Sequence, residues 1–166
     1  MNSRLMFTAI VAAMIIFAGG VSSAAGASPS VDACSLLTPA RVSAILGISS
    51  QPGQHLYKTS TLACGWSESG STSPSSKRAV LEVYGTIGSL TPADRFANAK
   101  TPVKGVTKTA VSGIGDDAVY VTTPGFGTGL IVKKGNSVFN IRVYGFALEQ
   151  IMAMEKTLAQ DVLAKL

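Results

Sequence analysis

The residues in this chain that could do chemistry are few and scattered. Its single histidine, His55, sits in the loop-like run Gln51-Pro52-Gly53-Gln54-His55, and no G-x-S-x-G elbow accompanies it, so a serine hydrolase would have one candidate base and no marked nucleophile. The carboxylates Glu68, Glu82, Asp94, Asp116 and Asp117 follow no spacing diagnostic of a paired acid and base. Cys34 and Cys64 form no C-x-x-C and have no histidine at zinc spacing, so they read as one structural disulfide and not as a redox or metal centre. Closing a loop of about 30 residues, that bridge contributes about 3 kcal/mol in the loop-entropy model. No cofactor is implied, and no catalytic, cofactor-binding or metal-ligating residue is assigned.

Two segments are richer. Gly113-Ile114-Gly115-Asp116-Asp117-Ala118 contains a G-x-G, but a strand from Ala118 to Thr122 follows it where a phosphate loop needs a helix N-terminus. Asp116-Asp117 lacks the alternating ligands and distal glutamate of an EF-hand, and reads as a tight turn in which aspartates cap backbone N–H groups. Pro124-Gly125-Phe126-Gly127-Thr128-Gly129 reads as a glycine-rich loop that presents Phe126. Loops on a rigid sheet are where binding tends to reside, so Asp116, Asp117, Tyr120 and Phe126 form the candidate ligand or partner surface.

The elements that must position these residues are legible from capping and periodicity. Thr38-Pro39 and Thr91-Pro92 are matching helix starts within Leu-Thr-Pro-Ala repeats, predicting short helices from Pro39 to Leu46, stopped by Gly47, and from Pro92 to near Ala99. Strands are expected over Thr61 to Ser67, Arg78 to Thr86, Lys108 to Val111, Ala118 to Thr122, Leu130 to Lys134 and Val138 to Tyr144, with Gly135-Asn136 as a hairpin turn. Ala147 to Leu166 places Leu148, Ile151, Met152, Leu158, Val162 and Leu166 on one stripe of a long amphipathic helix. The expected fold is α+β: an antiparallel sheet of about five or six strands, packed on one face by two short helices and the long C-terminal one.

Arg4 precedes an apolar run from Leu5 to Ala18 and then an Ala25-Gly26-Ala27 cleavage signal, which reads as a secretory signal peptide over residues 1–27 followed by one domain over 28–166. The apolar run is shorter than the roughly 20 residues that span a bilayer, and no cysteine follows it directly to carry a lipid. The chain has 14 Lys and Arg against 9 Asp and Glu, a net charge of +5, but beyond Arg4 the basic residues are spread from Arg41 to Lys165 and gather on no segment, which argues against nucleic acid. With 46% hydrophobic residues and no heptads, an integral membrane protein, a coiled coil and a disordered chain are also disfavoured.

Asp32-Ala33-Cys34-Ser35-Leu36-Leu37-Thr38 leading to Leu46-Gly47, Cys64-Gly65-Trp66, and Val111-Ser112-Gly113-Ile114-Gly115-Asp116-Asp117-Ala118-Val119-Tyr120 occur in order, followed by a hairpin and a helix. In this the chain resembles a family of small bacterial envelope proteins and lipoproteins classed as a domain of unknown function, while lacking the lipid-bearing cysteine. The resemblance implies a secreted or periplasmic, disulfide-closed module and places no catalytic residue. The expected function is a non-catalytic extracytoplasmic binding or interaction module of the cell envelope, its partner an envelope ligand or protein. The competing expectations are an accessory subunit docking through its C-terminal helix and an envelope glycan or ester hydrolase.

Overall fold

The computed structural model describes residues 31–71, 73 and 75–166, so the expected signal peptide lies outside the described residues. Strands β1 (Gln54–Tyr57), β2 (Ser60–Ser67), β3 (Arg78–Val83), β4 (Thr107–Val111), β5 (Asp117–Thr123), β6 (Gly127–Lys134) and β7 (Ser137–Tyr144) form one antiparallel sheet in the order β1-β2-β3-β7-β6-β5-β4. The first three strands make one meander. Helix α3 (Pro92–Lys100) then carries the chain to the far edge, from which β4 to β7 meander back until β7 pairs with β3 along Arg78↔Tyr144 to Val83↔Phe139. Helices α1 (Ala33–Leu36), α2 (Pro39–Leu46) and α4 (Leu148–Leu163) complete the described elements.

Local chemistry sets the helix ends. Thr38 Oγ1 accepts from the Arg41 N–H at 3.2 Å, Pro39 fills the first turn, and Gly47 closes α2 at φ 62°, a left-handed conformation that glycine adopts without a Cβ penalty. Thr91 opens α3 with a reciprocal cap: its hydroxyl accepts from the Asp94 N–H and the Asp94 carboxylate accepts from the Thr91 N–H.

The sheet has seven strands where five or six were expected. The additional one is β1, a four-residue edge strand with every residue exposed, which therefore lacks the apolar alternation that marks a strand in sequence. The single-turn α1, capped by Asp32 through the Cys34 N–H at 2.8 Å, also adds a third short helix. The helices cover both faces of the sheet instead of one. Side chains alternate across a strand, so Leu81, Leu130, Val132, Phe139 and Ile141 point to one side, where Leu158, Ala159 and Val162 of α4 meet them with Val42 and Leu46 of α2. Val119, Ile131 and Val138 point to the other side and pack against Phe96 of α3. Full burial of each large side chain contributes about 1.5–3 kcal/mol.

The Cys34–Cys64 disulfide ties α1 to β2. Trp66, fully buried on the same face as Cys64, packs beside it, and Gly53 lies against both: a Cβ at position 53 would stand 2.6 Å from Trp66 Nε1 and 2.8 Å from Cys64 Sγ.

A buried carboxyl marks the other distinctive point. The β6–β7 ladder stops at Leu130↔Ile141, although β6 continues beside β5 to Gly127 and β7 beside β3 to Tyr144. Glu155 of α4, with no exposed surface, is in the place of the next ladder partner: its Oε1 accepts from the Val143 N–H at 2.9 Å. Burial pushes its carboxyl up to about 8, against the opposing pull of the Val143 bond and of Arg142. Tyr120 on β5, whose hydroxyl donates to the Met152 carbonyl at 2.5 Å, also feels that carboxyl, and burial with the Glu155 charge raises it to about 12.

Two outcomes are expected. Between the ordinary glutamate value and about pH 8 the folded chain holds a proton at Glu155 that the unfolded chain releases, so stability falls as pH rises through that window. The loss is roughly 3 to 5 kcal/mol, and Glu155→Gln, which keeps the acceptor for Val143 without the titration, flattens it in urea unfolding at pH 5, 7 and 9. Gly53→Ala forces a methyl into the contact with Trp66 and the disulfide and lowers the unfolding free energy by about 1–3 kcal/mol, read from the same transitions.

Candidate functional site

Helix α3 packs over the β5, β6 and β7 part of its face of the sheet and meets β3 through Arg95, leaving β2, most of β3 and the adjoining side of β7 open. The outward positions of β2 are Ala63, Gly65 and Ser67, alternating with the inward Cys64 and Trp66. Ala63, with Val80 beside it on β3, makes a low floor, and a groove runs along it. Leu56 and Tyr57 of β1 stand on one bank, while Glu82, Tyr84, Asn140, Arg142 and Tyr144 rise from β3, its continuation and β7 on the other. Two adjoining stretches of about 330 and 340 Å³ share Tyr57, Ala63 and Glu82, and Arg95 of α3 borders the second.

Glycines shape this groove by the room they leave, with backbones outside the left-handed region. A Cβ at Gly65 would lie 2.9 Å from Leu56 Cδ2, so Leu56 folds onto the floor there. A Cβ at Gly129 would lie 2.9 Å from Arg142 Cγ, Arg142 Nε and Asn140 Oδ1, so those two side chains lean together across β6 only because position 129 has none.

Most charges in the groove are matched. Arg95 Nη2 donates to Glu82 Oε1 at 3.1 Å and Nη1 to the Gly85 carbonyl at 3.4 Å, and its guanidinium lies 3.7 Å from the Tyr84 ring centroid. Arg78 stacks over Tyr144 at 4.2 Å. Burial and the neighbouring Glu82 charge raise the Tyr84 hydroxyl above its ordinary value, so it enters the groove as a neutral phenol. Arg142 differs: it is half-buried, has no ion-pair or hydrogen-bond partner among the described residues, and its Nε is sealed from solvent beside an equally unpartnered Asn140 Oδ1. Such an arrangement can grip and orient a ligand. The groove's carboxylate, Glu82, is tied to Arg95 and faces no second acid across a bond-sized gap.

The residues singled out in the sequence are not brought together. Asp116 accepts from the Gly135 N–H at 2.6 Å and from Lys134 Nζ at 3.3 Å, which hold its carboxyl below the ordinary value and pin the β6–β7 turn. Asp117 pairs with Lys100 of α3 at 2.6 Å. Tyr120 is buried beneath α4, on the opposite face from the groove. Phe126, 74% exposed, tips the β5–β6 hairpin at the far end of β5 from Asp117. His55 is on β1 and not in a loop, with Nε2 2.9 Å from Asp32 Oδ1. Asp32, Cys34 and His55 sit close enough to share a metal ion, but the Cys34 sulfur is committed to the disulfide, which leaves two ligands.

Sequence reasoning missed Arg142 and Asn140, which read as ordinary outward polar positions of a strand. Gly129, read in the sequence as the end of the glycine-rich loop from Pro124, lies instead within β6, where its missing side chain makes room for Arg142 and Asn140. No protein-family model, curated protein or solved structure matches the chain.

Gly129→Ala tests this geometry. The added methyl drives Arg142 and Asn140 out of their positions, seen as a changed Arg142 side-chain N–H resonance, while urea unfolding shows a loss of only about 1 kcal/mol because flexible side chains, and no backbone, must move.

Proposed function

We propose that this protein is a non-catalytic binding module of the extracytoplasmic cell envelope that holds a small ligand in the open groove over β2, β3 and β7. The observation that carries the reading is Arg142, a cation without a partner in a groove whose other charges are matched. Concave, mostly pre-formed sites with a few placed polar groups and aromatic walls are what small-molecule recognition uses, and the groove's size falls in that range.

Further support comes from the disulfide, which suits an oxidising compartment, and from the absence among the described residues of any helix long and apolar enough to cross a membrane. Both accord with membership in the envelope family that the chain resembles. Helix α4 turns Ile151, Leu158, Ala159 and Val162 into the core, so that part of its apolar stripe is committed within the fold and not to a partner.

Native mass spectrometry of the protein purified gently from an envelope extract tests the reading. The expected result is added mass lost on denaturation, missing from a folded Val80→Trp variant that fills the groove and retained by Phe126→Ser at the hairpin tip. Protein that carries no added mass, or added mass that survives Val80→Trp, overturns it.

A further inference from the structure

The ion pairs elsewhere in the molecule give the background for the groove. Arg41 grips Asp161 through two nitrogens at 2.7 and 3.2 Å, Lys100 holds Asp117, Lys134 holds Asp116, and Arg95 holds Glu82. Arg78 lies on Tyr144. Against this pattern Arg142 has neither a carboxylate nor a ring. Glu155, an acid that feels the Arg142 charge, belongs to the helix-covered face, where its Oε1 accepts from the Val143 N–H. The groove therefore carries a positive charge, fixed in place, that has no ion-pair partner among the described residues.

Its placement is built. The Arg142 stem crosses the gap left by Gly129, so the guanidinium is held by β7 and the absence of a side chain on β6. Nε is closed off from solvent and Arg142 lines the groove, which leaves the terminal nitrogens as the free donors of the fork. Two such nitrogens match the two oxygens of a carboxylate or phosphate in a planar, bidentate contact, which a lysine ammonium would not reproduce. Val80 and Leu56 offer apolar surface beside it, and the Tyr144 ring, which Arg78 covers, borders it.

We propose that Arg142 is the anion anchor of the groove, and that the ligand carries an oxyanion, carboxylate or phosphate, on a small apolar or ring-shaped body lying between Leu56 and Tyr144. This rests on the groove being the binding site, and it adds the chemical class of what binds there.

The experiment titrates the ¹⁵N-labelled protein with benzoate, phenyl phosphate and neutral benzamide, following the Arg142 Nε–H and the backbone amides of β2, β3 and β7. The expected result is saturable shifts of both sets of signals with one of the anions, weakened by added salt and at least tenfold weaker in Arg142→Gln, with Arg142→Lys intermediate. Benzoate alone assigns a carboxylate ligand, and phenyl phosphate alone a phosphate ester. Benzamide binding as tightly as the anions, insensitive to salt and to Arg142→Gln, overturns the anchor and leaves the groove standing as a site for neutral ligands. The salt comparison on the unaltered protein decides the same point should Arg142→Gln fail to fold. No groove shift with any probe overturns the anchor and removes the support for the groove itself.

Discussion

Strict alternation of side chains along β7 is the constraint on which the rest of the molecule depends. This strand lies at the centre of the sheet, so each of its residues commits to one of two different environments. Phe139, Ile141 and Val143 enter the core beneath α4, while Val138, Asn140, Arg142 and Tyr144 point to the other face. There α3 reaches Val138 and stops, and the next three outward residues are left to line a groove. A one-residue slip in the pairing with β3 would put Arg142 into the apolar layer and Ile141 into the groove. The cost of burying that charge fixes the register of the core and the composition of the site together.

The end of the β6–β7 ladder couples the two faces. Where pairing stops after Ile141, the Val143 N–H needs another acceptor, because an orphaned buried donor costs as much as a lost hydrogen bond. Glu155 supplies it from the helix side, and burial keeps that carboxyl protonated well beyond the usual range. On the groove side, the same parting of strands accompanies Gly129, over which Arg142 and Asn140 lean. An Arg142 left with a charged acid behind it would be partly neutralised from within. A protonated Glu155 leaves the guanidinium's charge available to the groove.

How far this could be read from the sequence depended on whether the determining interactions were local. The helix from Pro39 to Leu46 was legible in full, because its threonine cap, its proline and its closing glycine act within a few residues. The Cys34–Cys64 bridge was legible because there were only two cysteines to pair. Strand β1 was not, since an exposed edge strand is held by hydrogen bonds to β2 and leaves no apolar pattern. The side of the sheet that α3 occupies was not either, as it follows from a crossover to the far edge. Of the proposed ligand surface, Asp116 is legible as the turn anchor it is, whereas Tyr120 looks the same in sequence whether its strand turns it to solvent or under a helix.

The groove was illegible for a further reason: its parts come from strands far apart in the chain, and each is unremarkable alone. Ala63, Gly65 and Ser67 look like weak strand formers until Cys64 and Trp66 are seen to take the opposite face. An open sheet face that exposes tyrosines would ordinarily invite association with another such face. Here Arg95 and Arg78 lie on the rings of Tyr84 and Tyr144, so cations already occupy the aromatic surfaces most suited to stacking. That cover limits indiscriminate apolar contact and leaves two kinds of surface free, the short apolar floor and the Arg142 fork. A ligand must satisfy both at once, which is how a shallow groove gains selectivity: an apolar body without an anion leaves the guanidinium desolvated and unpaired, and an anion without a body forgoes the floor.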